Sequence, residues 1–284
     1  MAGSVNAAKM RRGELVRGLA GACHPAPTVA VTTVSALLAV GVGLNMGRVV
    51  LVAAAVLTGQ LSIGWSNDRI DAACDRSTGR SDKPVASGQV LPAMVATAAA
   101  AALLATIVLS ALLGPFAAGA ALTLVASGWA YNLGLKATVF SGVPYLVGFG
   151  ALPAVAYLAL PGHTWPPWWA PVTGALLGFG AHFANVLPDL RADEATGVRG
   201  LPQRLGARTG VIVMAAALAG ASVVLGFVPA SVSMAYSLVA SAGGIFGAAT
   251  AAIAAIRNPD SPAAFRITLL IAVFDVGLLL AIAA

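Results

Sequence analysis

Charge is what this sequence has least of: only 9% of its residues are Asp, Glu, Lys or Arg, while 59% are hydrophobic and mean hydropathy is +0.89. Soluble domains carry roughly 25% charged residues, so that class is excluded and a polytopic helical membrane protein is predicted. Cysteine is nearly absent, with 2 in 284 residues, Cys23 and Cys74. Both fall on the predicted cytoplasmic side, where a disulfide is not expected. Aromatic residues make up 6%, and few fall deep in the predicted spans. No wall of aromatic rings able to stabilise a cation within the spans is therefore evident. The first 24 residues hold no apolar core of their own, so no cleavable signal peptide is expected and the first span serves for targeting.

What the sequence does have is a succession of apolar runs. Reading runs of about 20 apolar residues as spans predicts nine helices, near 28–46, 49–68, 91–113, 115–134, 138–160, 167–188, 209–228, 232–256 and 264–284. The basic residues support that division. With the N-terminus in the cytoplasm, Lys9, Arg11, Arg12 and Arg17 lie inside, as do Arg69, Arg76, Arg80 and Lys83 after the second helix. Lys136 follows the fourth, Arg191, Arg199, Arg204 and Arg208 follow the sixth, and Arg257 and Arg266 flank the last turn. Of the 16 Lys and Arg only Arg48 falls outside, which satisfies the positive-inside rule and puts the C-terminus on the far side. The net charge of +6 then reflects orientation and anionic lipid, not nucleic acid. The expected location is the cell membrane. The 32 Gly and the Ala98–Ala102 run let helix backbones pack closely in lipid. The expected division is a cytoplasmic N-terminal segment, 1–27, and one transmembrane domain, 28–284, with cap loops at about 66–90 and 185–208.

The few acids are not scattered. Asp68, Asp71 and Asp75, at spacings of three and four, fall on one face of a helix, as do Asp189 and Asp193 with Asn185 one turn earlier. The two clusters stand 121 positions apart, each after an even-numbered helix. That interval predicts pseudo-repeats, helices one to four and five to eight, with the site between them and the ninth completing the ring. Solvated loops that anchor helix ends account for the Lys and Arg, but not for acids at helical spacing preceded by Asn67 and Asn185. Facing sets of hard oxygen ligands suit Mg²⁺ ions that hold a diphosphate. Such a site, helped by Lys and Arg, neutralises a leaving pyrophosphate and favours breaking an allylic C–O bond.

Other residues admit two readings. Lys136, the one basic residue of its loop, is a snorkelling lysine or a phosphate contact. His182 lies two turns before Asp189 and roughly 10 Å deeper, on the face of Asn185 and Asp189. There a neutral imidazole orients an acceptor, takes a proton from a cation, or makes a helix-packing hydrogen bond. Asp275, near mid-bilayer, is protonated, paired with Arg266, or part of a cavity wall. The run His163 to Trp169 reads as an interfacial aromatic anchor.

These segments resemble those of the UbiA superfamily of intramembrane prenyltransferases. The signature N-D-x-x-D-x-x-x-D is matched by Asn67, Asp68, Asp71 and Asp75, followed by Lys83-Pro84 and Ser87-Gly88. The signature D-x-x-x-D is matched by Asp189 and Asp193, followed by Gly197, Arg199, Leu201-Pro202 and Leu205-Gly206. Tyr131 and Lys136 are similar to a Tyr and Lys pair after the family's fourth helix. The resemblance implies an all-α integral membrane fold, a nine-helix ring around a lipid-open central cavity with cytoplasmic cap loops. It further implies two Mg²⁺ ions that bridge Asn67, Asp68, Asp71, Asp75, Asp189 and Asp193 to an isoprenyl diphosphate. Tyr131 joins the carboxylates in catalysis, and the residue reading adds His182. Arg76, Lys83, Lys136, Asn185 and Arg199, with Asn67, are the expected substrate contacts. Lys83 stands where Arg is common, Gly200 where Thr or Ser is common, and His24-Pro25-Ala26-Pro27 where Arg-Pro is often seen.

The implied activity is transfer of a prenyl group to an aromatic or lipid-soluble acceptor. A class I terpene cyclase of the same superfamily would use the same ionisation without an acceptor. A transporter fits less well, because the acids gather at one membrane face instead of along a midplane path. A scaffold would leave the carboxylates without a purpose.

Overall fold

A computed structural model describes residues 12–190, 193, 196–227 and 233–283. Lys9, Arg11 and Arg191 of the sequence reading lie outside them. The regular secondary structure described is entirely helical: α1 (Arg12–Ala22), α2 (Pro25–Gly41), α3 (Met46–Ser77), α4 (Pro92–Ala111), α5 (Pro115–Asn132), α6 (Val143–Leu158), α7 (Trp169–Val186), α8 (Leu201–Phe227), α9 (Met234–Arg257) and α10 (Ala263–Ala283). Short 3₁₀ turns cover Leu135–Ala137 and Leu187–Asp189. Proline opens α2, α4, α5 and α6, where its fixed φ suits the first turn and its missing N–H costs nothing. Asn45 and Ser233 cap α3 and α9 by accepting from the backbone N–H of Arg48 and Tyr236.

Three elements differ from the sequence expectation, and each moves the site. First, α3 does not stop at 68 but runs through all three acids to Ser77. No Gly or Pro interrupts it before Gly79, whose φ of 72° turns the chain away. Second, part of the segment 1–27 forms α1. Leu15 and Leu19, one turn apart, pack on Trp65, Val85 and Val90, and the Trp65 Nε1–H donates to the Leu19 carbonyl at 2.8 Å. Trp65→Phe should cost about 1 kcal/mol through that lost hydrogen bond. The thermal midpoint in detergent reads it, and an unchanged midpoint would refute the role. Third, α7 ends at Val186 and Pro188 sits in a 3₁₀ turn. Asp189 thus does not share one continuous α-helical face with His182 and Asn185, which both stand on α7.

Five helical segments are long and apolar enough to cross a membrane: α3, α4, α7 with its 3₁₀ turn, α8 and α9. A sixth follows if α1 and α2, which meet at 71°, count as one bent span, while α6 is apolar but shorter. The described residues thus meet the nine-span expectation only in part by length and composition. By itself α2, with 17 residues, is too short to be counted.

Each helix from α2 onward packs on its neighbour in sequence, and α10 packs against α2 and α7 as well as α9. One core joins α2, α3, α5 and α6, and another joins α7, α8, α9 and α10. Between them lies a cavity of about 380 Å³ walled by α2, α3, α5, α6, α7 and α10. Glycine makes the tight crossings around it. A Cβ on Gly64 would strike the Cys23 backbone, and one on Gly178 would come within 2.7 Å of the Tyr145 carbonyl.

Candidate active site

The C-terminal end of α3 supplies the first wall. Asn67 and Asp71, one turn apart, are tied by the Asn67 amide donating to Asp71 Oδ2 at 2.9 Å. The same amide reaches Asn132 Oδ1 at 3.2 Å. Asn132 is buried and donates to the Ile63 carbonyl at 3.0 Å and to Ser66 Oγ at 2.8 Å, so it fixes the end of α5 against α3. Lys136, in the turn after α5, forms an ion pair with Asp71 Oδ1. Sequence reasoning named Lys136 but missed Asn132, whose only signal was its place beside Tyr131.

Asp68 does not converge with them. At 1% exposure it faces the following loop. Its Oδ2 accepts from the Val85 N–H at 3.1 Å, and Lys83 stands 3.8 Å from its Oδ1. Residue 68 is about 100° around the helix from residue 67, enough to turn it from the cavity side. Asp75, one turn beyond Asp71, is half-buried, and its Oδ2 has no hydrogen-bond partner among the described residues.

The second wall follows α7. Asp189 accepts from Arg80 at 3.3 Å, and Arg80 also grips Asp82 with bonds of 3.0 and 3.1 Å. Asp193 accepts from the Gln203 amide at 2.6 Å. Arg80 therefore spans the two motifs, and neither it nor Gln203 stood out as a site residue in the sequence. Their partners are 109 and 10 residues away, beyond any local pattern. Burial pushes the Asp193 carboxyl above the ordinary carboxylate range, offset by the Gln203 bond, and the charges of Asp189 and Asp71 push it the same way as burial. The two walls thus bear on each other across the mouth. The Arg80 guanidinium holds Asp82 below the usual range. Arg76 and Arg199 are exposed, and among the described residues neither side chain contacts an Asp of either motif.

His24, set between α1 and α2, completes the mouth. Its φ of 55° is left-handed, a strained state for a non-glycine residue. It brings Nε2 within 3.1 Å of Asn67 Oδ1 and 3.1 Å of Lys83 Nζ. The sequence marked this segment only as a departure from Arg-Pro.

Below the mouth the cavity is aromatic, contrary to the expectation from composition. Tyr131, Tyr145, Phe149, Tyr157, Trp169 and Phe265 border it. Tyr145, Phe149 and Tyr157 recur at multiples of four along α6 and so share a face. Tyr145 stacks parallel to Phe149 at 6.0 Å and meets Tyr131 edge-on at 5.3 Å. Few aromatics suffice because the fold gathers them on one wall. Asn185 borders the mouth and hydrogen-bonds Tyr145.

His182 is fully buried, and Ser141 Oγ lies 3.0 Å from its Nε2 while accepting from the Leu201 N–H at 2.8 Å. It clips α8 to the turn before α6, with the Tyr145 ring 4.9 Å away. Asp275 is fully buried and borders the cavity. Ser222 Oγ is 3.0 Å from each of its oxygens, and no ion pair with Arg266 forms among the described residues. Cys23 and Cys74 are both free.

The sequence profile of the UbiA prenyltransferase family matches residues 28–274. The chain belongs to that family. Among solved structures, a UbiA homolog from Archaeoglobus fulgidus bound to GPP and Mg²⁺ is 14% identical, with 94% of this chain and 99% of that chain covered and a TM-score of 0.74. A UbiA homolog from Aeropyrum pernix K1 is 19% identical, covering 89% and 95%, with a TM-score of 0.73. A digeranylgeranylglyceryl phosphate synthase structure is 15% identical, covering 95% and 97%, with a TM-score of 0.64. At these identities the likeness establishes the fold. A search of curated proteins finds no significant match.

Among the described residues no three His, Cys, Asp or Glu side chains form a metal-holding group by themselves. The oxygen donors of this UbiA family chain nevertheless suit Mg²⁺. Asn67, Asp71 and Asp75 on one wall and Asp189 and Asp193 on the other are hard ligands. Their mutual repulsion is only partly offset by Lys136 and Arg80.

Proposed function

We propose that this protein is a Mg²⁺-dependent intramembrane prenyltransferase that ionises an isoprenyl diphosphate and passes the prenyl group to an aromatic or lipid-soluble acceptor. The observation that carries it is the pair of acid motifs, Asn67 and Asp71 at the end of α3 and Asp189 held by Arg80 from the loop after α3, beside an apolar aromatic cavity that Asn67 borders. In this reading α2 to α10 are the nine spans of a ring open to lipid, residues 28–284 form one domain, and the cap loops face the cytoplasm with the N-terminus. Mg²⁺ held by Asn67, Asp71, Asp75, Asp189 and Asp193 would supply charge neutralisation on the diphosphate.

The chain's own residues do the rest. Lys136 and Arg80, already beside the carboxylates, meet the phosphate oxygens as charge builds on the leaving group, while Lys83, with Asp68, keeps the cap loop in place. The allylic C–O bond breaks with its electron pair leaving on pyrophosphate. Tyr131 and Tyr145 present their rings to the allylic cation and keep water from it. The acceptor then donates an electron pair to the cation and loses one proton to the departing pyrophosphate. Asp68 holds Val85, His182 holds Ser141, and Arg76 and Arg199 remain surface charges toward phosphate and lipid.

The aromatic wall also favours a second reading, cyclisation of the same cation without an acceptor, because Phe149, Tyr157 and Trp169 continue down the cavity where a migrating charge would need them. Product analysis separates the two. Purified protein with Mg²⁺ and geranyl, farnesyl or geranylgeranyl diphosphate alone should release little pyrophosphate, with release restored by a lipid or aromatic extract. A cyclic hydrocarbon or terpene alcohol formed stoichiometrically with pyrophosphate would instead establish the cyclase.

A further inference from the structure

Two turns below Asn67, about 10 Å deeper at 1.5 Å per residue, Gln60 borders the cavity on the same face of α3 as Ile63, Gly64 and Asn67. Its neighbours on the other faces are committed: Ser62 donates to the Ala99 carbonyl at 2.9 Å, and Ser66 meets Asn132 at 2.8 Å. Gln60 is only partly buried, and it borders the cavity. A carboxamide at a largely apolar wall is a polar point that an entering molecule can meet.

The cavity wall has a second property. No Lys or Arg borders it among the described residues. The cations of the site, Lys83, Lys136 and Arg80, are engaged with Asp68, Asp71, Asp82 and Asp189 at the mouth. His24 Nε2 already faces Lys83 and Asn67 and offers no free positive group. An anion placed beside Gln60 would find one amide and no counter-charge, and burying an unpaired carboxylate is far more costly than burying a neutral polar group.

We infer that Gln60 binds the acceptor, and that the acceptor is an uncharged hydroxyl- or carbonyl-bearing molecule, not an aromatic carboxylate. The inference rests on the prenyltransferase reading. A carboxamide presents donors and an acceptor on one planar group, which matches a carbonyl or phenol edge. The aromatic wall of Tyr131, Tyr145 and Phe149 across the chamber suits a ring.

The test uses methyl 4-hydroxybenzoate and 4-hydroxybenzoate, two acceptors that share the ring and differ in charge. Binding is read by calorimetry on the full-length protein in detergent, and transfer is read with Mg²⁺ and geranyl diphosphate. The ester should bind, and its kcat/KM should exceed that of the free acid by at least about tenfold. Gln60→Leu should raise the acceptor KM about tenfold, with a smaller effect on the KM for geranyl diphosphate. Gln60→Arg supplies the missing cation and should shift preference toward the free acid, a gain that misfolding cannot produce. Preference of the unaltered protein for the acid, absence of ester binding, or an unchanged ester KM in Gln60→Leu overturns the inference. Ester that binds at Gln60 without any cleavage of geranyl diphosphate instead overturns the prenyltransferase reading beneath it.

Discussion

Asp71→Asn should lower Mg²⁺-dependent pyrophosphate release by about 10² to 10³-fold, the usual loss when one preorganised charge partner of a transition state is removed. Asn is nearly the size of Asp and can keep a contact with Asn67, so folding should survive. What disappears is a hard anionic ligand and the partner of Lys136. Asp193→Asn should behave in the same way from the opposite wall, because its carboxyl lies in the field of Asp71 and Asp189. In both variants raising Mg²⁺ should recover part of the rate. Unchanged turnover in both, measured by pyrophosphate release, would remove the metal assignment and with it the proposed chemistry.

Gly64→Ala should be strongly damaging to both folding and turnover. A Cβ there collides with the carbonyl oxygen, carbonyl carbon and Cα of Cys23, all backbone, which cannot rotate away as a side chain could. Overpacking of this kind costs about 1 to 3 kcal/mol. The segment displaced holds His24 in its left-handed turn, so the His24 contact with Asn67 at 3.1 Å should be lost too. The expected result is a lowered thermal midpoint in detergent together with reduced prenyl diphosphate turnover. A variant with an unaltered midpoint and full turnover would show that α3 and the turn between α1 and α2 do not pack as described.

Much of the fold was legible in the sequence, because apolar runs and helix-opening prolines are local signals. The matched elements, α4 at Pro92–Ala111 beside an expected 91–113 and α9 at Met234–Arg257 beside 232–256, show how far length and hydropathy reach. They reach less far where polar residues continue a helix, as in the last turns of α3. They also fail for α1, whose Leu15 and Leu19 are too few to signal a helix until Trp65 and Val90 are seen beneath them. For the site, the two acid motifs were legible because both are short-range spacings along the chain. The facing of Asp68 was not, since three acids at helical spacing leave open which one meets the cavity and which one meets the loop.

The sequence by itself determined the membrane class, the helical order and the pair of carboxylate motifs, because each is written in composition or in intervals of three and four residues. Tertiary structure alone decided what those motifs face. Arg80 reaches Asp189 across 109 residues, and His24 reaches Asn67 across 43. An aromatic wall is assembled from α5, α6, α7 and α10, whose aromatic residues lie in separate stretches of the sequence. Helical periodicity orders side chains along one helix only. Which faces of separate helices share a cavity is set by how the bundle closes, and that is a property of packing.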